Sequence, residues 1–583
     1  MKWVKESAGV FYRMSEFFLG RMDAGIPSAV PEAAFLIRIR TEGFMGIFLR
    51  TALKAALISA LVFAGCASDN SSDSDIDSLT GVSISGNEKV LIGQSATLTA
   101  APKKTGKPEI SYSWSLSSDI CASLSATKGE SVELSVRDSA SEGDSVTVTV
   151  TATWGTVSVK GEKTVTFSTA PKLSLTDKPV GYASLSTDYS TSGGTTVTTR
   201  EELLSALSNG GVIIIDGMID MSEGKLWSSG STSMSTATSE LDDFVHSTVS
   251  TYSDYADWVG KYTAACAENT EDGDATAPTN ASHSSLYDDL WKLNKAYGNL
   301  IQVTISKDGT TLIGKDENCG IRGGSIQING KKNIIIRNLT IQDPCDPFPH
   351  HEVSTSNKAY KASDGYNAQW DGICIQGSSS YIWVDHCTFE DTLTLAYTTN
   401  TTKEKWQIFD GLCDMKGDST NITVSNCHFK NHDKTMLIGS SDSDGDNTKR
   451  FVSLIGNYFE NCGQRLPMVR NTKIHVLNNY YTTSGSPYSS QSCVNARKNA
   501  IVYAENNYFG SGCKYSFNAA SGDSTPVLHA SGNSGEKVSS TSNISAADSA
   551  LFSSLNVYTY TAVTADEAKT NAEENAGAGY LLN

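Results

Sequence analysis

Residues Asn333–Ile341 (NIIIRNLTI), Tyr381–Phe389 (YIWVDHCTF), Asn421–Phe429 (NITVSNCHF), Phe451–Phe459 (FVSLIGNYF), Lys473–Tyr481 (KIHVLNNYY) and Ile501–Phe509 (IVYAENNYF) are six copies of one nine-residue template. Two positions are apolar in every copy: Ile334 and Ile336, Ile382 and Val384, Ile422 and Val424, Val452 and Leu454, Ile474 and Val476, Val502 and Ala504. A period of two makes each copy a strand with one face inward. Two residues further stand Asn338, His386, Asn426, Gly456, Asn478 and Asn506, mostly polar, where a strand should turn. Stacked amides at that turn are expected to hydrogen-bond from coil to coil. The shortest interval between copies is 22 residues, from Phe459 to Tyr481, and the intervals carry little helical pattern. Strands that recur once per coil and stack on their own kind build a solenoid, so a parallel β-helix is expected in place of a Rossmann fold or a closed barrel. The longer intervals then form loops projecting from the coils.

Working outward, the 583 residues exceed what one ordinary core absorbs. The net charge of -18 argues against general nucleic-acid binding, so any anionic ligand must meet a local basic cluster. Residues 79–170 alternate apolar and polar residues in short runs such as Tyr112-Ser-Trp-Ser-Leu and Ser145-Val-Thr-Val-Thr-Val, with turn residues between them. This pattern predicts an N-terminal β-sandwich, similar to bacterial immunoglobulin-like modules, with Trp114 in its core and a spacer as its default role. The solenoid is expected over 171–583. Between about 223 and 300, segments such as Leu286-Tyr-Asp-Asp-Leu-Trp-Lys-Leu predict amphipathic helices inserted outside it.

The N-terminus reads as export machinery. A basic start at Met45, an apolar run from Ala55 to Gly65 and then Cys66 form a signal too short to span a bilayer. Leu61-Val62-Phe63-Ala64-Gly65-Cys66 resembles a lipoprotein lipobox, which implies lipidation of Cys66 and anchoring to a bacterial outer membrane or cell surface, with plain secretion as the alternative. Residues 1–65 are then an upstream segment and signal, translation is expected to begin at Met45, and 66–78 form a flexible tether. Eleven further cysteines in an oxidising compartment lead to an expectation of some disulfide pairing, with one thiol left over.

The chemistry gathers near the repeat. Asp410 and Asp414 precede the strand at 421–429, His432-Asp433-Lys434 follows it, and Gln464-Arg465-Leu466-Pro467-Met468-Val469-Arg470 follows the strand at 451–459. Carboxylates suited to a hard cation and fixed cations suited to an acidic polymer thus fall on consecutive coils, where one cleft can hold them.

Trp383-Val384-Asp385-His386, Asp410-x3-Asp414, His432-Asp433-Lys434 and Arg465-x-Pro467-x-x-Arg470 resemble the motifs of the extracellular pectate lyases of polysaccharide lyase family 1. The resemblance opens at Val180-Gly181-Tyr182-Ala183 and Gly193-Gly194, runs to Glu505-Asn506-Asn507, and covers about residues 178–515 with the helical insertion outside it. It implies a right-handed parallel β-helix, calcium (Ca2+) bound by Asp371, Asp410 and Asp414, and Arg465 as the base of a β-elimination on polygalacturonate or pectin. It also implies that Lys434 and Arg470 grip substrate carboxylates, that Lys416 and Arg497 are further basic subsite residues, and that the protein is a monomer. Gln369 stands where the family is often acidic. Arginine serves as a base only where neighbouring cations lower the cost of losing its proton. Trp383, Asp385 and His386 lie within a strand template; Asp385 and His386 are expected to form a buried hydrogen-bonded support of the site, and Trp383 to pack. The alternatives are a pectin lyase acting on methyl-esterified chains without calcium, and a noncatalytic β-helical polysaccharide-binding surface protein.

Overall fold

The computed structural model describes residues 77–583, apart from 170, 229, 232–235, 272–283, 352–365, 394–406, 486–487, 489, 491, 520–525, 537, 539–544 and 547–557. Cys66 and the export signal lie outside the described residues. Among those that are described, no helix is long and apolar enough to cross a membrane.

The template does build a parallel β-helix. Three parallel sheets of eleven, nine and eight strands run side by side along the solenoid, and each coil gives one strand to each. The coil after Asp371 is representative: Ile373–Gln376 enters the eight-stranded sheet, Ser380–Asp385 the eleven-stranded sheet and Thr388–Glu390 the nine-stranded sheet. The first apolar template position stacks in register as Ile334, Ile382, Ile422, Val452, Ile474 and Val502, all buried. Each such side chain contributes roughly 1.5–3 kcal/mol by leaving water. The template's last position forms a second column, Phe389, Phe429, Phe459, Tyr481 and Phe509, with successive ring centroids 4.7, 5.0, 4.8 and 5.0 Å apart.

The turn position has a different role from the one its polarity suggested. Asn338, His386, Asn426, Gly456, Asn478 and Asn506 adopt φ of 53, 47, 48, 68, 55 and 51°. This left-handed corner swings the chain from one sheet to the next and favours Asn and Gly. The amide ladder is one residue further along. Asn457 Nδ2 donates to Asn479 Oδ1 (2.8 Å), Asn479 Nδ2 to Asn507 Oδ1 (2.9 Å) and Asn507 Nδ2 to Asn533 Oδ1 (2.8 Å). Corner amides do bond from coil to coil, but to backbone, Asn338 Nδ2 to the Gly314 carbonyl and Asn478 Nδ2 to that of Asn506, and they also reach the chain laid over the sheet at the Tyr580 and Val563 carbonyls.

Residues 78–168 form two four-stranded sheets around Trp114, Leu134, Val148, Val150 and Phe167, so the alternating pattern yields the expected sandwich. In the solenoid, helix α1 (Arg200–Asn209) is started by a capping box between Thr199 and Glu202 and buries Leu203 and Leu207 in the same core as the first coils. Helices α2 (Ser239–Thr248), α3 (Tyr255–Glu271) and α4 (Ser284–Ile301) fill the predicted insertion. They enclose a second, aromatic core with Trp227, Tyr255, Trp258, Tyr297, Phe348 and Tyr366, which joins them to the loops leaving the coils. Helix α5 (Ala565–Asn575), not anticipated from sequence, packs against the nine-stranded sheet with Lys569 over the Tyr480 and Tyr508 rings.

The expected disulfides are not formed among the described residues: ten cysteines, from Cys121 to Cys513, are free thiols. Most are inward-facing solenoid positions such as Cys387, Cys427 and Cys462, where the residue acts as a small apolar filler.

Val180-Gly181-Tyr182-Ala183 is a clasp on the eleven-stranded sheet. Tyr182 N donates to Ser453 Oγ (3.1 Å), Ala183 N to Thr423 Oγ1 (3.0 Å), and Thr423 Oγ1 donates to the Val180 carbonyl (2.8 Å). Gly181 is required there, since its φ is 62° and a Cβ would stand 2.1 Å from Ser453 Oγ.

Candidate active site

The eight-stranded sheet carries the site. Met415, Ile438, Val469 and Ala496 pair in register on successive strands. The residues that follow them, Lys416, Gly439, Arg470 and Arg497, therefore form one row along the solenoid axis. Gly439 leaves a gap in the row, because a Cβ there would stand 2.9 Å from Arg470 Cβ. Arg470 is anchored by Asp442 Oδ1 (3.2 Å) and the Gly439 carbonyl (3.1 Å). Burial and the neighbouring Arg497 and Arg465 guanidiniums hold its pKa below the usual arginine value.

Beside this row lie the acids. Asp371 and Asp414 are buried, and Lys416 Nζ stands 2.6 Å from Asp371 Oδ2 and 3.4 Å from Asp414 Oδ2. Burial and the Asp414 carboxylate push Asp371 up to about 8, against the pull of Lys416. Burial raises Asp414 as well. Burial also opposes the charge on Lys416, but Asp414 and Asp371 outweigh it and hold the ammonium protonated. Asp410 pairs with Lys434 at 2.8 Å; burial works to raise its carboxyl, and Lys434, Lys416 and Arg465 overcome that and hold it low.

Arg465 follows Gln464, which bridges in parallel to Lys434, so the coil edge brings Arg465 beside Asp410 and Asp414. Its backbone is left-handed at φ 60°, a conformation costing a non-glycine residue about 1 kcal/mol that active sites often retain. Its Nε is buried and makes no hydrogen bond among the described residues. Asp371, Asp410, Asp414, Lys416, Lys434, Arg465, Arg470 and Arg497 are thus gathered on one face.

The acids fit a hard cation. Asp414 Oδ2 is buried without a hydrogen bond, and a Cβ at Gly411 would stand 2.3 Å from Asp414 Oδ1, so glycine keeps that space open. An all-oxygen donor set with surplus negative charge suits calcium. In this arrangement the Lys416 ammonium occupies the space between Asp371 and Asp414. Among the described residues, the group of three ligand atoms already within 4.8 Å of one another lies elsewhere, at Asp216, Asp316 and Cys319.

Sequence reading gave His432 no role of its own and missed Asp391 and Asp346, which help hold these groups in place. His432 Nδ1 bonds Asp391 Oδ2 (2.6 Å) while its Nε2 bonds the Asp410 carbonyl (2.7 Å). Burial raises the Asp391 carboxyl to about 6 despite His432; burial also works against a charged His432, yet Asp391 outweighs it and raises the imidazole. The available signal was register: Thr388–Glu390 aligns with His428–Lys430, which brings Asp391 alongside Asn431, next to His432. Buried Asp346, raised to about 7 by burial, accepts from Gln369 N (3.0 Å) and from Asn294 Nδ2 of α4. The uncharged Gln369 thus lies against an acid from another loop.

Trp383, Asp385 and His386 are buried or nearly so, but they do not support this site. They belong to the eleven-stranded sheet, where Asp385 bonds His386 Nδ1 (2.6 Å), Arg337 Nε (2.7 Å) and Ser425 Oγ (2.7 Å). Arg337 in turn holds Asp177, and His386 packs against Tyr580, so the cluster ties both ends of the domain to the solenoid.

A family model described as pectate lyase matches residues 292–581. Pectate lyase E of Dickeya dadantii is 40% identical over 183 residues, covering 31% of this chain and 43% of that protein. A Bacillus subtilis pectate lyase is 37% identical over 202 residues, 34% of this chain and 46% of that protein. The chain thus spans less than half the length of those two relatives. A pectate trisaccharide-lyase of Bacillus licheniformis is 31% identical over 271 residues, covering 46% of this chain and 67% of that enzyme. The chain belongs to the pectate lyase family. Solved pectate lyases carry the same fold: one bound to a hexasaccharide superposes with a TM-score of 0.55 at 28% identity, covering 69% of this chain and 97% of that one. A pectate lyase from Acidovorax avenae subsp citrulli shares the fold at 23% identity, with a TM-score of 0.56 over 71% of this chain and 96% of that one. The pectate lyase match begins at residue 292, after the sandwich and most of the helical insertion.

Proposed function

We propose that the chain is a calcium-dependent pectate lyase, a polysaccharide lyase that cleaves α-1,4-polygalacturonate by β-elimination and releases 4,5-unsaturated oligogalacturonates. The observation that carries this reading is the position of Arg465, with a buried, unbonded Nε beside two carboxylates and a lysine. In this reading Arg465 takes the C5 proton of a uronate, the C5–H electron pair becomes the C4–C5 double bond, and the glycosidic oxygen on C4 leaves with its bonding pair. Lys434 and Arg470 hold uronate carboxylates, Arg470 in a bidentate manner and Lys434 as a point contact. Lys416 and Arg497 extend the basic row to neighbouring sugars. Calcium held by Asp371, Asp410 and Asp414 would supply positive charge at the reacting uronate carboxylate, which makes the C5 hydrogen more acidic. No pair of hydrolytic carboxylates is required.

Outside the catalytic unit, lipidation of Cys66 with residues 66–78 as tether and an immunoglobulin-like sandwich as spacer would hold the enzyme off a cell surface. A mass spectrum of the mature N-terminus tests that anchor.

Incubation of the purified protein with polygalacturonate, in calcium or in chelator, tests the reaction through the ultraviolet absorbance of the unsaturated product. Absorbance is expected with calcium and not with chelator, and Arg465→Ala is expected to abolish it while oligogalacturonate binding persists. No absorbing product in calcium refutes the lyase, and a rise indifferent to chelator that favours methylated pectin replaces it with a pectin lyase.

A further inference from the structure

Helix α4 turns one line of residues, Tyr287, Trp291, Asn294 and Gly298, toward the loops that carry the site; they are spaced four, three and four apart. Two of the four have evident structural roles. Asn294 Nδ2 bonds Asp346 and the Phe348 carbonyl. Gly298 makes room for the Trp370 indole, since a Cβ there would stand 2.4 Å from Trp370 Cζ2, and Trp370 immediately precedes Asp371. Tyr287 and Trp291 do something else. With His350 they form a group of three rings, with centroids 5.9 Å apart for Tyr287 and Trp291, 6.0 Å for Tyr287 and His350, and 5.6 Å for Trp291 and His350. Trp291 remains 40% exposed, although the helix bearing it is sealed on an aromatic core.

The backbone shows where this group faces. His350–His351 pairs antiparallel with Tyr366–Asn367, and His350 stands directly opposite Asn367. Directly opposed residues project from the same face of a ladder, with Cβ atoms roughly 5 Å apart. Asn367 Oδ1 accepts from Lys434 Nζ, the same ammonium that holds Asp410. The rings therefore adjoin the Lys434 end of the site. They differ from the rest of it in carrying no fixed charge: burial and the adjacent His351 lower the pKa of His350, which favours its neutral form.

We infer that Tyr287, Trp291 and His350 are a sugar-binding subsite, contributed mainly by the helical insertion, on which a galacturonate ring beyond the cationic row stacks against the Trp291 indole. The inference rests on the reading of the site as one for polygalacturonate. An exposed aromatic face offers an apolar surface to the C–H face of a pyranose, and the ring nitrogens and phenol at its rim can bond hydroxyls. The carboxylate of that sugar meets no cation in the group, so the subsite binds by ring contact and lengthens the preferred oligomer. Tyr287 and Trp291 both precede the stretch matched by the family model.

Calorimetric titration of trigalacturonate and hexagalacturonate, in calcium, into the full chain carrying Arg465→Ala measures binding without turnover. Adding Trp291→Ala is expected to weaken the hexamer about three- to tenfold, the value of one aromatic contact, and to leave the trimer and the melting temperature unchanged. Trp291→Phe is expected to retain most of the hexamer affinity. Unchanged hexamer binding in the Trp291→Ala protein, or equal weakening of both oligomers, overturns the subsite. Failure of the underlying reading appears separately, as absence of absorbing product from the unsubstituted enzyme.

Discussion

Lys416→Met tests how the acid cluster is neutralised. Lys416 Nζ lies 2.6 Å from Asp371 and 3.4 Å from Asp414, with the lysine side chain 25% exposed and both aspartates almost fully buried. Removing one partner of a buried pair costs roughly 3–5 kcal/mol, and the partial exposure of Lys416 puts this case at the lower end, about 3 kcal/mol. For a domain of this size that corresponds to a fall in Tm of a few degrees in chelator. Methionine keeps the stem's volume, so the loss is electrostatic. Calcium at a thousand times its Kd returns about 4 kcal/mol to whichever protein binds it. The variant has lost the ammonium that competes for the same oxygens, so its calcium-induced rise in Tm is expected to exceed that of the parent. The pH dependence has a definite sign. Asp371 is raised to about 8 by burial and Asp414, against an unfolded value of about 4. Its contribution to stability is therefore fully present below about pH 4 and is lost as pH rises through about 8. In chelator this loss is expected to be larger in the variant, and calcium is expected to flatten it. Thermal melts of both proteins across that range, with calcium and with chelator, make the comparison. Equal calcium shifts in the two proteins refute the shared-oxygen argument.

Asp391→Asn removes the carboxylate that orients His432 beneath the Asp410 carbonyl, and calcium affinity by calorimetry is expected to fall about tenfold, as for other residues behind metal ligands; an unchanged affinity rejects the positioning role. Asn479→Ala leaves Asn457 N and Nδ2, the Leu454 carbonyl and Asn507 Oδ1 short of a partner, so a loss of about 3 kcal/mol is expected in chemical denaturation, against about 1 kcal/mol for Asn533→Ala at the open end of the ladder. Gly181→Ala places a methyl 2.1 Å from Ser453 Oγ at a left-handed φ, and about 2–3 kcal/mol of stability should be lost, part of it recovered by adding Ser453→Ala; no loss would mean that the clasp is not seated as described.

The template made the solenoid legible because its inward positions repeat with the strand period and stack in register, as Ile334, Ile382 and Ile422 do. The site residues were named through the family resemblance; in the fold Lys416, Arg470 and Arg497 each follow a residue of one in-register row in the eight-stranded sheet, with Gly439 between the first two. Polarity in phase with the strand singled out Asn478, but the left-handed corner at that residue hands the stacking to Asn479. Cysteines were counted by compartment, whereas Cys387 and Cys427 occupy inward core positions. Helix α5 buries only Ala565, Ala568 and Ala572, too small an apolar stripe to stand out from its charged face. Trp291 and Asn294 gave no local signal, since their partners His350 and Asp346 lie more than fifty residues away on another loop.

The row Lys416, Gly439, Arg470, Arg497 also acts as a ruler. Neighbouring parallel strands are about 4.8 Å apart, so the row offers binding positions at a fixed pitch with its second mark left blank at Gly439. A linear polyanion laid along it can match that pitch only over a short run; any difference between its own repeat and the strand spacing accumulates with each further unit. Beyond that run the chain must bend or leave the row. The run of carboxylates that the row by itself can match is therefore limited by the hydrogen-bond spacing of the backbone, a quantity that no side-chain substitution can alter.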